Sequence, residues 1–352
     1  MSAWTYASTT DAPALAARLA AASNVILTTH TKPDGDAIGS CLALARALRS
    51  LGARVQLWLA GPVDFSLQSF LAGEAVGDPV RGLPADPVDL CVLLDTGAWS
   101  QVEAMAPWLR ANRERVVGID HHRRGDDIAP MRLVQPRCAS TTQVLVPVMD
   151  ALGVPLTAPA PGRDSIAEAL YIGLATDTGW FRFESAGPEV YRLVARLLDA
   201  GVDKDQLYRR IEETARPGRL RLLARALASL ELLCGDRAAL MTLTEADFAA
   251  SGGAPEDLSG VVNAPMVVGS VEVSVLLSQS EPGVVKASFR SKPAWAPGGA
   301  FVDVNALAAE WGGGGHVHAA GARFRQPLAE VQALVREALS RRFGAAPSST
   351  PA

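Results

Sequence analysis

Five histidines in 352 residues are few enough for their placement to be informative. His30 opens the run H-T-K-P-D-G-D, which brings Asp34 and Asp36 close behind it. His121 and His122 stand together after Asp120, and His316 and His318 lie in GGGGHVHAAG. Asp95 follows the apolar run LCVLL, and Asp177 follows ALYIGLAT. Each acid has an ordinary explanation alone: Asp36 suits a helix cap, and the others suit caps or turns. Together they need a common one. Acids gathered at one end of a sheet repel one another and raise each other's pKa values. Divalent cations remove that conflict. Imidazole and carboxylate without thiolate disfavour structural zinc and suit manganese, with magnesium, cobalt or iron as alternatives. Two such ions about 3.5–4 Å apart can orient a water, lower its pKa, and stabilise the entering and leaving oxygens at phosphorus.

The elements that must position these groups read as α/β. Apolar runs at residues 24–29, 54–59, 90–94 and 115–119 predict strands. Helices are predicted over 37–51, 141–152 and 165–174. In the first helix Ile38, Leu42, Ala45 and Leu48 share one face, and Gly52 ends it. Short buried strands alternating with helices imply a parallel sheet covered on both faces, with the ligand site outside the strands' carboxyl ends. Residues 188–234 read as helical and Arg-rich, either a solvated connection or a positive wall. After Gly235, strands at 238–243, 271–277 and 284–289, a short helix at 304–311 and a terminal helix at 328–343 make a smaller α/β domain. The expected division is 1–187, a helical linker 188–234, a second domain 235–345 closing over a cleft, and a disordered tail 346–352.

Composition bounds the partners. An apolar share of 49% with 20% charged residues is that of a soluble globular chain, and the length suggests two domains. No run of about 18 apolar residues predicts a membrane span, and the N-terminus lacks a secretory pattern. Cys41, Cys91, Cys138 and Cys234 are far apart among apolar neighbours, which reads as buried thiols in a reducing cytoplasm. A net charge of −4 argues against a footprint on long duplex nucleic acid. A homodimer stays open.

The motifs closely resemble the DHH phosphoesterases, a family named for the Asp-His-His seen at Asp120–His122. Its four metal motifs occur in order, as His30/Asp34/Asp36, Asp95, Asp120–His122 and Asp177. GGGGHVHAAG, with F-R-S-K at Phe289–Lys292 upstream, resembles the domain associated with it. The resemblance spans nearly the whole chain. It implies that His30, Asp34 and Asp95 hold one manganese, and that Asp36, Asp95, His121 and Asp177 hold a second, with Asp95 bridging. It also implies that His122 points at the scissile phosphate and that Asp120 orients a neighbouring histidine. Gly313, Gly314, Gly315 and His316, with Arg290, Ser291 and Lys292, would form a substrate clamp. In it, glycine N–H groups would approach a phosphate and Arg290 would pair with it bidentately.

Several readings stay paired. His318 is either a packed histidine or a ligand contact. Ser140 and Thr141 either bond substrate phosphate or cap a helix. Trp180, Phe181 and Phe183 suit a core better than base stacking. The stand-alone two-domain length is similar to that of the family's nanoRNases. That implies hydrolysis of very short oligoribonucleotides to mononucleotides and dephosphorylation of 3′-phosphoadenosine 5′-phosphate (pAp). The alternatives are cleavage of cyclic di-AMP or linear diadenylate, and a RecJ-like single-strand exonuclease. The chain has no room for the latter's added OB-type domain. The glycine-rich loop speaks against a family pyrophosphatase. A sensing module without turnover is opposed by the complete ligand set.

Overall fold

Chain order in the first unit, Met1–Thr214, follows the hydrophobic pattern. It begins α1 (Ala12–Ala20), β1 (Asn24–Thr28), α2 (Gly35–Ser50), β2 (Arg54–Trp58), α3 (Phe65–Gln68), β3 (Val76–Gly77) and β4 (Leu90–Leu94). It continues α4 (Ala106–Ala111), β5 (Val116–Asp120), β6 (Met131–Val134), α5 (Thr141–Leu152), α6 (Ile166–Asp177), α7 (Pro188–Asp199) and α8 (Lys204–Glu212). The computed structural model describes residues 4–157, 165–294 and 299–344, so the expected tail 346–352 lies outside the described residues.

The six strands pair in parallel in the order β3-β2-β1-β4-β5-β6. Every residue of β4 and β5 is buried, as unbroken apolar runs require when helices cover both faces. The strand order reverses between β1 and β4. In open α/β sheets the crevice at that reversal, outside the carboxyl ends, is the place for a ligand. His30 follows β1, and Asp95 follows β4 directly.

Helices α2 and α6 cross at very short range. A Cβ on Gly39 would lie 2.5 Å from the Ala169 carbonyl oxygen, and one on Gly173 would lie 2.6 Å from Asp36 Oδ1. Glycine at both positions is what lets the backbones meet. The crossing sets Asp36, in the first turn of α2, beside Asp177, the last residue of α6. Asp177 thus reaches the site from the end of the helix expected over 165–174, which runs on as far as Asp177.

The expected linker divides. Helices α7 and α8 belong to the first unit, burying Val190, Leu197 and Leu207, while residues 217–228 open the second, Ala215–Ala352. That unit contains α9 (Pro217–Ala228), β7 (Glu231–Leu233), β8 (Ala238–Leu243), α10 (Glu245–Ser251), β9 (Val273–Glu281) and β10 (Val284–Ser291). It ends with α11 (Val304–Ala309), β11 (Gly314–His316), β12 (Ala319–Phe324) and α12 (Leu328–Phe343). Its sheet runs β11-β12-β10-β9-β8-β7, antiparallel except for β8 with β9. Phe289, Val275 and Leu240 pack on α11 and α12 from one face, and Met241 and Leu276 meet α9 from the other. Among the described residues no helix is long and apolar enough to cross a membrane.

Candidate metal centre

The turn after β1 supplies the first ligands. Asp34 is the N-cap of α2, its Oδ1 accepting from the N–H groups of Asp36 and Ala37 at 3.1 Å each. The capping role open to Asp36 thus falls to Asp34. Asp36, 1% exposed, reaches instead to the start of α5, where Thr141 N–H (2.6 Å) and Thr142 N–H (3.0 Å) donate to its two oxygens. Asp95, 3% exposed, sits at φ +60°, a left-handed conformation that non-glycine residues rarely adopt and that Asp and Asn tolerate best. Its Oδ1 accepts the Thr141 hydroxyl at 2.9 Å.

The imidazoles are aimed by their far nitrogens. His30 Nδ1 lies 3.1 Å from the Thr31 carbonyl and His121 Nδ1 lies 3.3 Å from the Cys138 carbonyl. A carbonyl only accepts, so both Nδ1 atoms carry the proton and both Nε2 atoms turn towards the acids, the arrangement usual for metal-binding histidine. His30 Nε2 is 3.5 Å from Asp95 Oδ2 and 3.7 Å from Asp34 Oδ1. His121 Nε2 is 3.5 Å from Asp95 Oδ1, 3.5 Å from Asp177 Oδ2 and 3.9 Å from Asp36 Oδ2. The two oxygens of Asp95 therefore face different histidines. Ligand atoms gather into the groups His30/Asp34/Asp95, Asp36/His121/Asp177 and Asp95/His121/His122.

These charges conflict as they stand. Burial raises the Asp36 pKa, and burial with the Asp36 charge raises Asp95 well above the usual carboxylate range. Asp177 is lifted to about 7 by burial and then by Asp36 and Asp34. Burial works to lower His30, but hydrogen bonds to Asp34 and Asp95 outweigh it and raise the imidazole to about 10. Buried acids facing imidazole Nε2 atoms, an oxygen and nitrogen donor set, are what a pair of hard to borderline divalent cations needs. The residues present fit that group.

A pH-dependent stability follows for the metal-free protein. Asp177 keeps a proton in the fold up to about pH 7 that the unfolded chain releases near 3.8. The native state then binds more protons than the unfolded one in that window, so stability falls as pH rises through it. The contribution of charged His30, complete below 6.5, is likewise lost as pH climbs towards about 10. Divalent cations replace these protons, so manganese should raise the unfolding temperature more at pH 8.5 than at pH 6. Equal gains at both, measured by thermal unfolding, would contradict this.

His122 stands apart from the two main groups. Its Nδ1 donates to Asp120 Oδ1 at 2.7 Å, and its half-exposed ring lies 3.9 Å from Asp95 Oδ1. That bond is the leading cause of a His122 pKa raised to about 9. Asp120 is wholly buried. Burial favours its neutral form, but the His122 contact prevails and lowers its pKa.

Of the two roles open to Ser140 and Thr141, the structure shows the helix cap, at Ser140. Both are fully buried; Ser140 caps α5 through Gln143 N–H, and Thr141 holds Asp36 and Asp95. Gly314–His316 is an edge strand, and the N–H groups of Gly313 and Gly315 already donate to Ala308 and to Asn305 Oδ1. Arg290 and His316 both stand opposite Ala319 of β12, in one row on one face of the second sheet. The guanidinium of Arg290 donates to the Phe289 carbonyl at 2.9 Å. Lys292 Nζ donates to the Val268 carbonyl at 2.6 Å, and Ser291 pairs with His318 Nδ1 at 2.9 Å.

Trp180 and Phe181 pack against Tyr171, Tyr208 and Tyr191, while Phe183 is exposed. Cys41 and Cys91 are buried and Cys138 and Cys234 half-buried, all as free thiols. Sequence reading missed two contributors, the Thr142 N–H on Asp36 and the Tyr6 hydroxyl on Asp120 (2.7 Å). A tyrosine 114 positions from its partner leaves no local signal.

Comparison with known proteins meets this geometry. The pattern of the DHH family, N-terminal domain, matches residues 24–174. A Thermus thermophilus protein, bifunctional oligoribonuclease and PAP phosphatase NrnA, is 36% identical over 322 residues, covering 90% of each chain. The chain belongs to the DHH family. It is an enzyme, a hydrolase of phosphoester bonds. The family fold extends to an exopolyphosphatase-related protein from Bacteroides fragilis, 26% identical with a TM-score of 0.82, covering 94% of this chain and 96% of that one. A structure of exonuclease RecJ bound to manganese, 18% identical with a TM-score of 0.53 and 96% coverage of each chain, shares the fold alone.

Proposed function

We propose that the chain hydrolyses very short oligoribonucleotides to mononucleotides and removes the 3′-phosphate of pAp. The reading is carried by the similarity over 90% of each chain to the Thermus protein of that name, joined to the cluster of acids and histidines. His30, Asp34 and Asp95 hold one divalent cation; Asp36, Asp95, His121 and Asp177 hold the other, with manganese preferred. When bound, such a pair supplies Lewis-acid charge to phosphoryl oxygen and an acidified water.

The protein's own groups do the positioning. Asp95 offers one oxygen to each side, and Thr141 fixes its rotation. With Nδ1–H held by Asp120, His122 presents Nε2 to the phosphoryl group, where it serves as a donor to oxygen as negative charge develops. In the second unit, Arg290, Ser291, Lys292 and His316, with Gly313–Gly315, are the groups for binding a substrate phosphate. Free thiols and the absence of a membrane-spanning helix among the described residues suit a cytoplasmic enzyme.

Arg290→Ala should raise KM roughly 10- to 100-fold with kcat changed little, as expected for a charge-assisted contact made equally in ground and transition states. Steady-state kinetics on pAp check this, and a fall in kcat at unchanged KM would count against a clamp. The reading as a whole is tested by competing pAp, a diadenylate, a five-residue RNA and cyclic di-AMP under identical manganese conditions. Preference for pAp and the diadenylate supports it. Preference for cyclic di-AMP or the longer RNA replaces it.

A further inference from the structure

Residues 4–9 form no regular element, yet they are fastened along the edge strand β6. Thr9 N–H donates to the Arg132 carbonyl (2.8 Å), and Arg132 N–H donates to the Thr9 hydroxyl (2.9 Å). The Ser8 hydroxyl bonds both the carbonyl and the N–H of Val134, at 2.8 and 2.9 Å, and Arg132 Nε holds the Ala7 carbonyl at 2.9 Å. The Arg132 guanidinium also lies 5.4 Å from the centre of the Trp4 ring, which sits beside Tyr6. So many fixings on a short segment at the chain start set one side chain, Tyr6, in place.

The Tyr6 ring lies against Gly97 and Gly125. A Cβ on Gly125 would come within 2.7 Å of the ring, and one on Gly97 would overlap the phenol carbon and hydroxyl. Neither glycine has the positive φ that would call for glycine on backbone grounds, so what their missing side chains provide is room for the ring. The hydroxyl donates to Asp120 Oδ2 at 2.7 Å. The other oxygen, Oδ1, receives His121 N–H (2.8 Å), His122 N–H (3.1 Å) and His122 Nδ1–H (2.7 Å). Asp120 is completely buried, so Tyr6 is the donor that keeps Oδ2 satisfied and the carboxylate plane fixed.

We propose that Tyr6 is a positioning residue for the hydrolytic reaction, acting through Asp120 to hold the His122 imidazole in its working tautomer and orientation, with Gly97 and Gly125 as the ring's cradle. The proposal rests on the function proposed above only for its reaction. The relay itself is geometric. Asp120 aims His122 from one oxygen, and Tyr6 stops that carboxylate from turning about its Cβ–Cγ bond. Without the hydroxyl, Oδ2 has no donor from Tyr6, and the carboxylate can rotate to share Oδ1's donors, loosening the imidazole.

The test is Tyr6→Phe in the full chain, read by kinetics on a diadenylate with manganese and by imidazole 15N spectra of the magnesium-loaded protein. Loss of an outer orienting partner should lower kcat on the order of tenfold with KM within about twofold. The His122 Nδ1 resonance should shift while those of His30 and His121 stay in place. An unchanged kcat and an unmoved His122 signal would overturn the proposal, as would equal shifts of all three histidines with a lowered unfolding temperature. Gly125→Ala, which displaces the ring but keeps the hydroxyl in the chain, should reproduce both effects; wild-type kcat in that variant would also overturn it, even if Tyr6→Phe failed to fold. Wild-type protein inactive on every substrate would refute the function, while the 15N spectra would still decide the relay.

Discussion

Asp95→Asn yields a folded protein that loses activity on the order of a thousandfold and retains at most one of its two cations, the scale expected when a preorganised charge at the reacting centre is removed. The substitution is chosen for its backbone. Asp95 sits at φ +60°, where asparagine is tolerated and alanine is strained, and an amide oxygen still accepts the Thr141 hydroxyl. What changes is the second oxygen, now an NH2 that cannot bind a cation. The oxygen beside Thr141 is the one facing His121, so the exchange removes the oxygen facing His30 and the negative charge that both groups share. Metal content and kcat/KM measured on the same preparation check this. Two ions with activity within tenfold of wild type would remove Asp95 from the bridging position.

His122→Ala separates chemistry from metal binding. Its Nδ1 is held by Asp120, and it lies outside the groups formed around His30 and around Asp36. The variant should keep both cations and lose kcat by about 10²–10⁴-fold, the range for a lost proton-transfer or charge-stabilising side chain. Loss of a cation along with activity would make His122 a ligand, contrary to this assignment.

The ligand cluster was readable because the acids follow short apolar runs, and a parallel strand ending in Asp or His can deliver that side chain only to one edge. That logic served Asp95 and His121, which leave β4 and β5 at the crevice beside β1. Asp177 is different: it ends the predicted helix, and its delivery depends on Gly39 and Gly173 letting two helices touch. Local pattern contains no record of such a crossing. The hydroxyls at the start of α5 stayed open between two readings for a related reason. Ser140 and Thr141 at a helix start look free to meet phosphate, but Thr141 faces two acids, 46 and 105 positions away, that use its donors. Glycines 312–315 suggested an anion cradle, and edge pairing with β12 takes up part of that backbone. The strand β6 escaped notice because MRLV carries an arginine, whose charge is met by Asp127 and by backbone carbonyls.

The most direct measurement is anomalous diffraction from crystals soaked in manganese. Two peaks are predicted, one among His30, Asp34 and Asp95 and the other among Asp36, Asp95, His121 and Asp177. A single peak, or peaks away from Asp95, would contradict the two-cation centre.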